Sequence, residues 1–261
     1  MSRIAFVLPL LALITSCATT PMIPSAAIAD LAPTGKIRAA INFGNPILAT
    51  KDPATGQARG VSVDLARELG RRLAVPVELV TFASAGEVVD AFKAGTIDVG
   101  FVAIDPARAV DISYTEAYVV IEGAYLVTRD SPIRSNAEVD RAGTRVVVGA
   151  KSAYDLYLSR ELKLATIIRA PSSPAVTDFF LAQRLDVAAG VKQQLEADAK
   201  RLSGLRLLDG RFMVINQAMG TPRGRDAGAQ YLRDFVATMK SSAYVAESLK
   251  RHGIAGAAVA P

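Results

Sequence analysis

Residues 85–118, "AGEVVDAFKAGTIDVGFVAIDPARAVDISYTEAY", carry the pattern that decides the fold. The opening "AGEVVDAFKAG" has apolar residues at helical spacing, and "IDVGFVAI" (97–104), apolar except for Asp98, is typical of a strand buried on both faces. Asp105 and Pro106 form a helix-start signal, which predicts a helix that includes Arg108. "DISYTEAY" has the pattern of extended chain. This order of helix, buried strand and helix indicates an α/β fold.

The same alternation continues on both sides of this stretch. Before it, two strand patterns (37–43 and 75–82) flank an amphipathic helix over 60–74. After it, a second α/β series occupies 144–210, and two helical patterns follow at 226–253. Two successive series of this kind predict largely parallel strands in two lobes, not one sheet.

The N-terminus, "MSRIAFVLPLLALITSCATT" (1–20), has one basic residue before an apolar stretch that is too short to span a membrane. This pattern predicts a secretory signal. "LITSC" (13–17) resembles the bacterial lipoprotein signal, which implies a signal peptide over 1–16 and a lipid on Cys17. An ordinary signal cleaved later, in "SAAIA" (25–29), is the alternative. Residues 17–34 are rich in Pro and Ala without periodicity and predict a tether.

The composition excludes several classes of function. The chain has one cysteine and one histidine, Cys17 and His252, so disulfides, thiolate metal sites and a Ser/His/Asp triad are not expected. Carboxylate chemistry remains open. The 30 basic and 25 acidic residues are interspersed, which indicates solvated surfaces and no nucleic-acid partner. We predict no cofactor and no metal.

Four stretches resemble the periplasmic solute-binding proteins of ABC importers, specifically the group that binds polar amino acids. They are "GKIRAAINFGNP", "GQARGVSVDLARELGRRLAVPVELV", the stretch quoted first, and "TRVVVGAKSAYDLYLSREL". The resemblance implies a two-lobe, type II-like fold with two hinge crossings and the ligand between the lobes. It implies lobe 1 at 35–126 and 219–261, and lobe 2 at 127–218. It also implies a small-molecule ligand, ABC permease subunits as partners, a monomer and a periplasmic location.

In this family, the Arg of a Pro-x-Arg segment binds a ligand carboxylate, and Arg108 matches that position. A guanidinium suits this role because it offers two parallel donors and keeps its charge when it is desolvated. The alternative is structural: Asp105 caps the helix, and Arg108 pairs with Asp105 or lies in solvent.

Further ligand-binding residues follow from the resemblance. Ser152 begins a helix at a turn where the family binds ligand, although an ordinary N-cap is the alternative. Tyr154 follows it and either reaches the cleft or joins the core. Asn45 lies where relatives often place an aromatic residue over the ligand. Phe82, at the end of a strand, either supplies an apolar wall or belongs to the core.

The chain departs from the family pattern at two positions. Relatives carry Ser or Thr hydroxyls before the Pro-x-Arg segment, whereas this chain has Ala103 there. Relatives that bind amino acids place an Asp where Val191 stands, and here Lys192 follows it. An ammonium group would therefore lack a partner at this position, so an anion without an α-amino group is expected to bind better than ordinary amino acids.

Three functional classes remain. We expect a binding protein, not an enzyme, that delivers a small polar or anionic solute to an importer. The same fold also serves cyclohexadienyl dehydratases, which need a carboxylic acid with a raised pKa, and Glu116 and Glu122 are the candidates near the predicted cleft. A sensory or accessory binding module is the third class.

Overall fold

The structure, a computed structural model, describes residues 24–261, so the predicted signal peptide and Cys17 lie outside the described residues. The helices are α1 Ser25–Leu31, α2 Val61–Leu73, α3 Ala85–Lys93, α4 Ala153–Glu161, α5 Val176–Ala182, α6 Lys192–Arg201, α7 Asp226–Ser241 and α8 Tyr244–Arg251. The strands are β1 Ile37–Asn42, β2 Thr50–Lys51, β3 Ala58–Arg59, β4 Val77–Phe82, β5 Val99–Ala103, β6 Ile112–Thr128, β7 Arg145–Gly149, β8 Thr166–Ala170, β9 Val187–Val191, β10 Leu205–Leu207, β11 Met213–Pro222 and β12 Ala258–Val259.

Two long antiparallel strands, β6 and β11, lie at the centre of the main sheet. Its strand order is β4-β1-β5-β11-β6-β9-β7-β8, and β10 and β12 also pair with β6. The contacts of β1 with β4 and β5, and of β7 with β8 and β9, are parallel. We call α1 to β5, α7, α8 and β12 the first half, and β7 to β10 with α4 to α6 the second half.

The expectation that the lobes do not share one sheet is wrong. Strand β6 has 17 residues, long enough to pair with β11 from Ile112 to Gly123 and with β9 from Gly123 to Leu126. Hydrogen bonding therefore continues from one half to the other through β6. The sequence indicates extended chain here, but it does not show that a single strand serves both halves.

Two other local predictions are also corrected. The tether over 17–34 is wrong for Ser25–Leu31, which form α1, because Ala27 and Leu31 are buried and Gly228 of α7 donates its N–H to Asp30 at 2.9 Å. The helix predicted at Asp105 is a hydrogen-bonded turn. Strand β6 begins at Ile112, so the segment before it is short. It cannot form enough helical hydrogen bonds to offset the entropy lost in the first turn.

Local sequence explains where the helices beside the cleft begin. Ser84 caps α3 by accepting the N–H of Glu87 at 3.2 Å, and the Glu87 carboxylate accepts the N–H of Ala83 at 2.9 Å. This is a reciprocal capping pair. Gly60 precedes α2 with φ of 127°, and a Cβ there would lie 2.4 Å from the Leu48 carbonyl oxygen. A side chain at residue 60 would collide with the backbone of Leu48, so only glycine lets that segment pack against the start of α2.

A buried carboxylate, Asp98, joins the elements of the first half. It is fully buried and accepts three hydrogen bonds from Arg38 at 2.7–3.0 Å and one from Arg225 at 2.8 Å. The same Arg225 also donates to the carbonyl of Asp30 at 2.7 Å. Burial alone would raise the pKa of Asp98, but hydrogen bonds from the two arginines outweigh it and hold the pKa below its ordinary value. Asp98 therefore links β1, β5, α1 and the start of α7.

We predict that Asp98→Asn lowers the free energy of unfolding at pH 7 by about 3 kcal/mol, because two partly buried arginines lose their counter-ion. Since the folded pKa is depressed, the carboxylate stabilises the protein above its unfolded pKa of about 4, and this stabilisation is lost as pH falls through the folded value. Urea denaturation at pH 7 and at pH 3 should show the difference from wild type shrinking in acid.

The control is Glu78→Gln, which removes an ion pair with Lys36 whose side chains are about half exposed. That variant should change stability by less than about 1 kcal/mol. Equal effects of the two substitutions at pH 7 would contradict the role given to Asp98.

Candidate functional site

A cavity lies between the two halves, beside the crossing strands. It measures about 30 Å³ as the space open to the centre of a water molecule. Both halves and β11 line it, and the lining residues are Asn42, Gly44, Asn45, Ala85, Ala103, Arg108, Ser152, Ala153, Tyr154, Ser173, Val191, Ile215 and Gln217. Six of the seven residues predicted to bind ligand are therefore together at one cavity.

The charged group of the cavity is Arg108, in the turn that follows β5. Its side chain is buried, with the residue only 3% exposed, and it donates to the carbonyl of Ala103 at 3.0 Å and to that of Lys151 at 2.8 Å. Three of its five N–H donors have no partner among residues 24–261. Burial lowers the pKa of Arg108, but a guanidinium remains charged at neutral pH.

Asp105 does not pair with Arg108. Its carboxylate accepts the N–H of Ala107 at 2.9 Å and forms an ion pair with Arg160 of α4 at 2.9 Å. The structural alternative from the sequence, an Asp105–Arg108 pair or an exposed Arg108, is therefore wrong. The buried guanidinium is held by two neutral carbonyls, one from each half.

The second half contributes the start of α4. Ser152 accepts the N–H of Asp155 at 3.0 Å as the N-cap, and Asp155 accepts the N–H of Lys151 at 2.8 Å and pairs with Arg169. Lys151 has φ of 55°, a left-handed conformation uncommon outside glycine. This conformation turns the carbonyl of Lys151 toward Arg108. Ser152 is both an N-cap and a cavity residue, with a hydroxyl proton still available.

Two buried polar atoms at the cavity have no hydrogen-bond partner among the described residues: Asn45 Oδ1 and Tyr154 Oη. Asn45 is 8% exposed and Tyr154 is 2% exposed. Burial raises the pKa of Tyr154 to about 12, so the phenol stays protonated at neutral pH. The hydroxyls of Ser173 and Ser152 and the backbone of Gly149 act to lower that pKa, although none of them has ordinary hydrogen-bond geometry to the phenol. Buried polar atoms usually have partners, so these two are available to a solute in the cavity.

Sequence reasoning did not find several cavity residues, among them Ser173, Gln217 and Asn42. Ser173 follows β8 and lies against Gly149, where a Cβ would approach Ser173 to 2.8 Å. The loop can come this close only because residue 149 is glycine. Gln217 is on β11, and nothing in its local sequence distinguishes it from a core-strand residue. Asn42 has a local structural role, accepting the N–H of Gly44 at 2.9 Å.

Phe82 does not line the cavity. It packs against the cluster formed by α3 and the start of β6, which includes Val88 and Ile112. Of the two roles that the sequence leaves open for Phe82, this packing favours the core. Ala103 does line the cavity, but it contributes its backbone carbonyl to Arg108 and no hydroxyl. Val191 lies opposite Gly123 at the crossing of β9 and β6.

Among residues 24–261, no Asp or Glu lines the cavity. The carboxylates around it pair with cations of the chain: Asp105 with Arg160, Asp155 with Arg169, Asp90 with Lys151, and Glu122 with Lys192 and Arg211. Lys192 therefore neutralises Glu122 and does not extend into the cavity. The local charge at the cavity is positive, because Arg108 is the charged residue in its lining.

Three residues considered for catalysis lie apart from the cavity lining. Glu116 is exposed. Hydrogen bonds from Arg211 and Lys192 lower the pKa of Glu122, the opposite of what a catalytic general acid needs. His252 contacts Asp64 at 3.0 Å where α8 packs on α2.

Within residues 24–261, no helix has the length and apolar character needed to cross a bilayer.

Two ion pairs cross the cleft beside the cavity. Lys151 Nζ lies 2.9 Å from Asp90 of α3, and Arg160 lies 2.9 Å from Asp105. The Lys151 side chain also covers Gly86, where a Cβ would approach it to 2.7 Å. Together with the Arg108–Lys151 contact, these pairs hold the halves against each other.

Comparison with known proteins identifies the family. Residues 37–253 match the family model described as bacterial extracellular solute-binding proteins, family 3. No curated protein matches the chain significantly.

Several solved structures have a similar fold. One is an amino acid ABC transporter substrate-binding protein from Streptococcus pneumoniae Canada MDR_19A bound to L-arginine, with 14% identity, a TM-score of 0.73, and coverage of 86% of this chain and 96% of the other. Another is a histidine kinase sensor domain similar to periplasmic binding proteins, with 18% identity, a TM-score of 0.74, and coverage of 86% and 98%. A third is an ancestral amino acid-binding protein, a precursor of cyclohexadienyl dehydratase, with 18% identity, a TM-score of 0.72, and coverage of 86% and 97%. At these identities the likeness shows the fold alone.

We predict that the double variant Asp90→Asn with Arg160→Gln shifts the two halves toward a more open arrangement. The Lys151–Asp90 pair is exposed, whereas Asp105 is buried beside a half-exposed Arg160. An exposed pair contributes about 0–1 kcal/mol and a pair with a buried carboxylate contributes more, so the closed-to-open ratio should fall at least roughly fivefold. Small-angle scattering should give a larger radius of gyration. Arg201→Gln, which removes pairs to Asp178 and Asp198 within the second half, is the matched control and should leave the radius unchanged. Identical radii for all three proteins would contradict the role of these bridges.

Proposed function

The chain belongs to the bacterial extracellular solute-binding proteins, family 3, and from that premise we propose that it captures a small polar or anionic solute between its two halves and delivers it to an ABC importer. The halves act as lobes that close on the solute, with β6 and β11 as the connecting strands. ABC permease subunits are the proposed partners, and the protein acts as a monomer.

One observation carries this proposal: Arg108 is a buried guanidinium whose hydrogen bonds within the described residues go only to neutral carbonyls. A buried charge without a counter-ion costs several kcal/mol in effective terms, so an anion at this place stabilises the closed arrangement. Because one carbonyl comes from each half, the guanidinium reaches full burial only when the halves meet. Binding and closure are therefore coupled through the same side chain.

The lining of the cleft favours binding over dehydration. A dehydratase needs a carboxylic acid with a raised pKa at the leaving hydroxyl, and no acid of the described residues 24–261 lines the cavity. Glu122 is held ionised by two cations, and Glu116 is exposed. We therefore propose a binding protein, with a dehydratase on the same fold as the alternative.

A sensory or accessory module would use the same cleft without an importer. The two roles differ in the surface that contacts the membrane partner, not in the cleft. Association of the solute-bound protein with permease subunits in detergent or nanodiscs supports import, and stimulation of a kinase without such association supports a sensor.

We propose an extracytoplasmic, periplasmic location with a lipid anchor on Cys17. Cys17→Ser should release the protein into the soluble periplasmic fraction or stall its processing, as shown by fractionation and mass spectrometry of the N-terminus. A wild-type protein that is wholly soluble, with a mature N-terminus beyond residue 17, would contradict the anchor.

We predict that Arg108→Gln abolishes solute binding. A thermal-shift panel of amino acids, hydroxy acids, oxo acids and dicarboxylates identifies stabilising solutes for wild type, and scattering should show compaction with those solutes. Loss of a buried charged hydrogen bond to a carboxylate should lower affinity at least about 100-fold.

The matched control is Arg206→Gln. The Arg206 guanidinium also donates to backbone carbonyls, those of Arg129, Ser131 and Ile133, but outside the cavity. This variant should lose stability and keep solute affinity. If no solute stabilises or compacts wild type, or if Arg108→Gln binds as well as wild type, the proposed function is wrong.

A further inference from the structure

We propose that the cleft binds a short-chain carboxylate whose second polar group is a neutral hydroxyl or oxo oxygen, and that it discriminates against the corresponding α-amino acid. This inference rests on the proposed function, because it assumes that the solute occupies the cavity at Arg108. It adds the chemical class of the solute and the residues that select it.

The carboxylate is assigned to Arg108 and the start of α4. The terminal nitrogens of Arg108 each use one N–H on a carbonyl and retain another, so two donors can meet a carboxylate. On the opposite side, the amides of Ala153 and Tyr154 have no acceptor among the described residues, while Ser152 caps the amide of Asp155 and has a hydroxyl proton available. Donors from both halves thus converge on one anionic group.

Within the part of the chain that the structure describes, the cavity offers no anionic partner for an ammonium group. No carboxylate of residues 24–261 lines it, and the nearby acids Asp105, Asp155 and Asp90 already pair with cations of the chain. Recruiting one of them would break an ion pair, and for Asp105 it would also release the turn that positions Arg108. An ammonium buried beside Arg108 would in addition be repelled by it.

A neutral oxygen on the solute would satisfy the two buried atoms that have no partner. Asn45 Oδ1 comes from the first half and Tyr154 Oη from the second. The amide of Asn45 can accept from a hydroxyl, or donate to an oxo oxygen after rotation, and the phenol of Tyr154 can donate to either. A carboxylate without a second polar group would leave Asn45 unsatisfied, which is costly for a buried amide. An ammonium could donate to the Asn45 oxygen, but its charge would remain unneutralised there.

The rest of the lining indicates a small carbon skeleton. Val191, Ile215, Ala85 and Ala153 supply apolar surface, which a purely inorganic anion would not use. The space open to the centre of a water molecule is only about 30 Å³, which favours a solute with a short carbon skeleton over one with a long side chain. Glycolate and lactate are the simplest acids of this class.

The test uses solute pairs that differ only in the substituent: glycolate with glycine, and L-lactate with L-alanine. Calorimetric titration of dialysed wild-type protein should show the hydroxy acid binding about 100-fold more tightly than the amino acid in each pair. Pyruvate should bind within the range of lactate, and sulfate should bind more weakly than either.

Two variants test the selecting residues. Asn45→Asp is nearly isosteric and places a carboxylate beside the substituent, so L-alanine should gain at least tenfold relative to L-lactate. Tyr154→Phe should weaken L-lactate about tenfold by removing one hydrogen bond. Tyr231→Phe, on α7 outside the cavity, is the control and should bind like wild type. Circular dichroism and melting confirm that each variant is folded.

The outcomes separate this inference from the proposed function. If L-alanine or glycine binds wild type as tightly as its hydroxy acid, or sulfate binds more tightly, the inference is overturned while solute binding stands. The same holds if another solute binds through Arg108 but lactate, glycolate and pyruvate do not. If folded Asn45→Asp and Tyr154→Phe leave the preference unchanged, the assignment of Asn45 and Tyr154 is overturned. If wild type binds none of these solutes and no member of the thermal-shift panel of amino acids, hydroxy acids, oxo acids and dicarboxylates, the proposed function itself is overturned.

Discussion

The buried guanidinium of Arg108 is the constraint on which the functional architecture depends. A charge that is 97% removed from solvent needs compensation, and the two carbonyls that it contacts supply only part of it. Because these carbonyls belong to different halves, the same side chain serves both closure and recognition. Asp105 stabilises this charge only through space, because its carboxylate bonds to Ala107 and Arg160, and we propose that an anionic solute supplies the remaining compensation.

Strand pairing and a buried ion-pair cluster hold the elements around Arg108 in place. Strands β6 and β11 cross from one half to the other, so the turn after β5 and the start of α4 face each other. The Asp98 cluster ties β1, β5 and α7 into one unit, and the Ser152–Asp155 cap fixes the first turn of α4. Recognition by one half therefore depends on rigid supports in both, while the bridges across the cleft remain weak enough to open.

Much of the fold follows from the sequence, because strands and helices with one buried face have clear periodicity. The family resemblance places Arg108, Ser152 and Asn45 at the cleft, and the structure brings all three to one cavity. The length of β6 and the place of Ser173 at the cavity cannot be predicted from local sequence, because each depends on contacts between distant segments. Helix α1 cannot be predicted from the sequence, because its seven residues are too few to show helical periodicity. The helix depends on its packing against α7.

The central claim is that the solute is a small acid that neutralises Arg108 and carries no ammonium group. The most direct measurement is native mass spectrometry of the full-length protein purified without denaturation, followed by identification of the released molecule. The account predicts one bound carboxylic acid of low mass without basic nitrogen, absent from Arg108→Gln and retained by Arg206→Gln. Release of an α-amino acid from wild type, or the same molecule bound equally by Arg108→Gln, would contradict it.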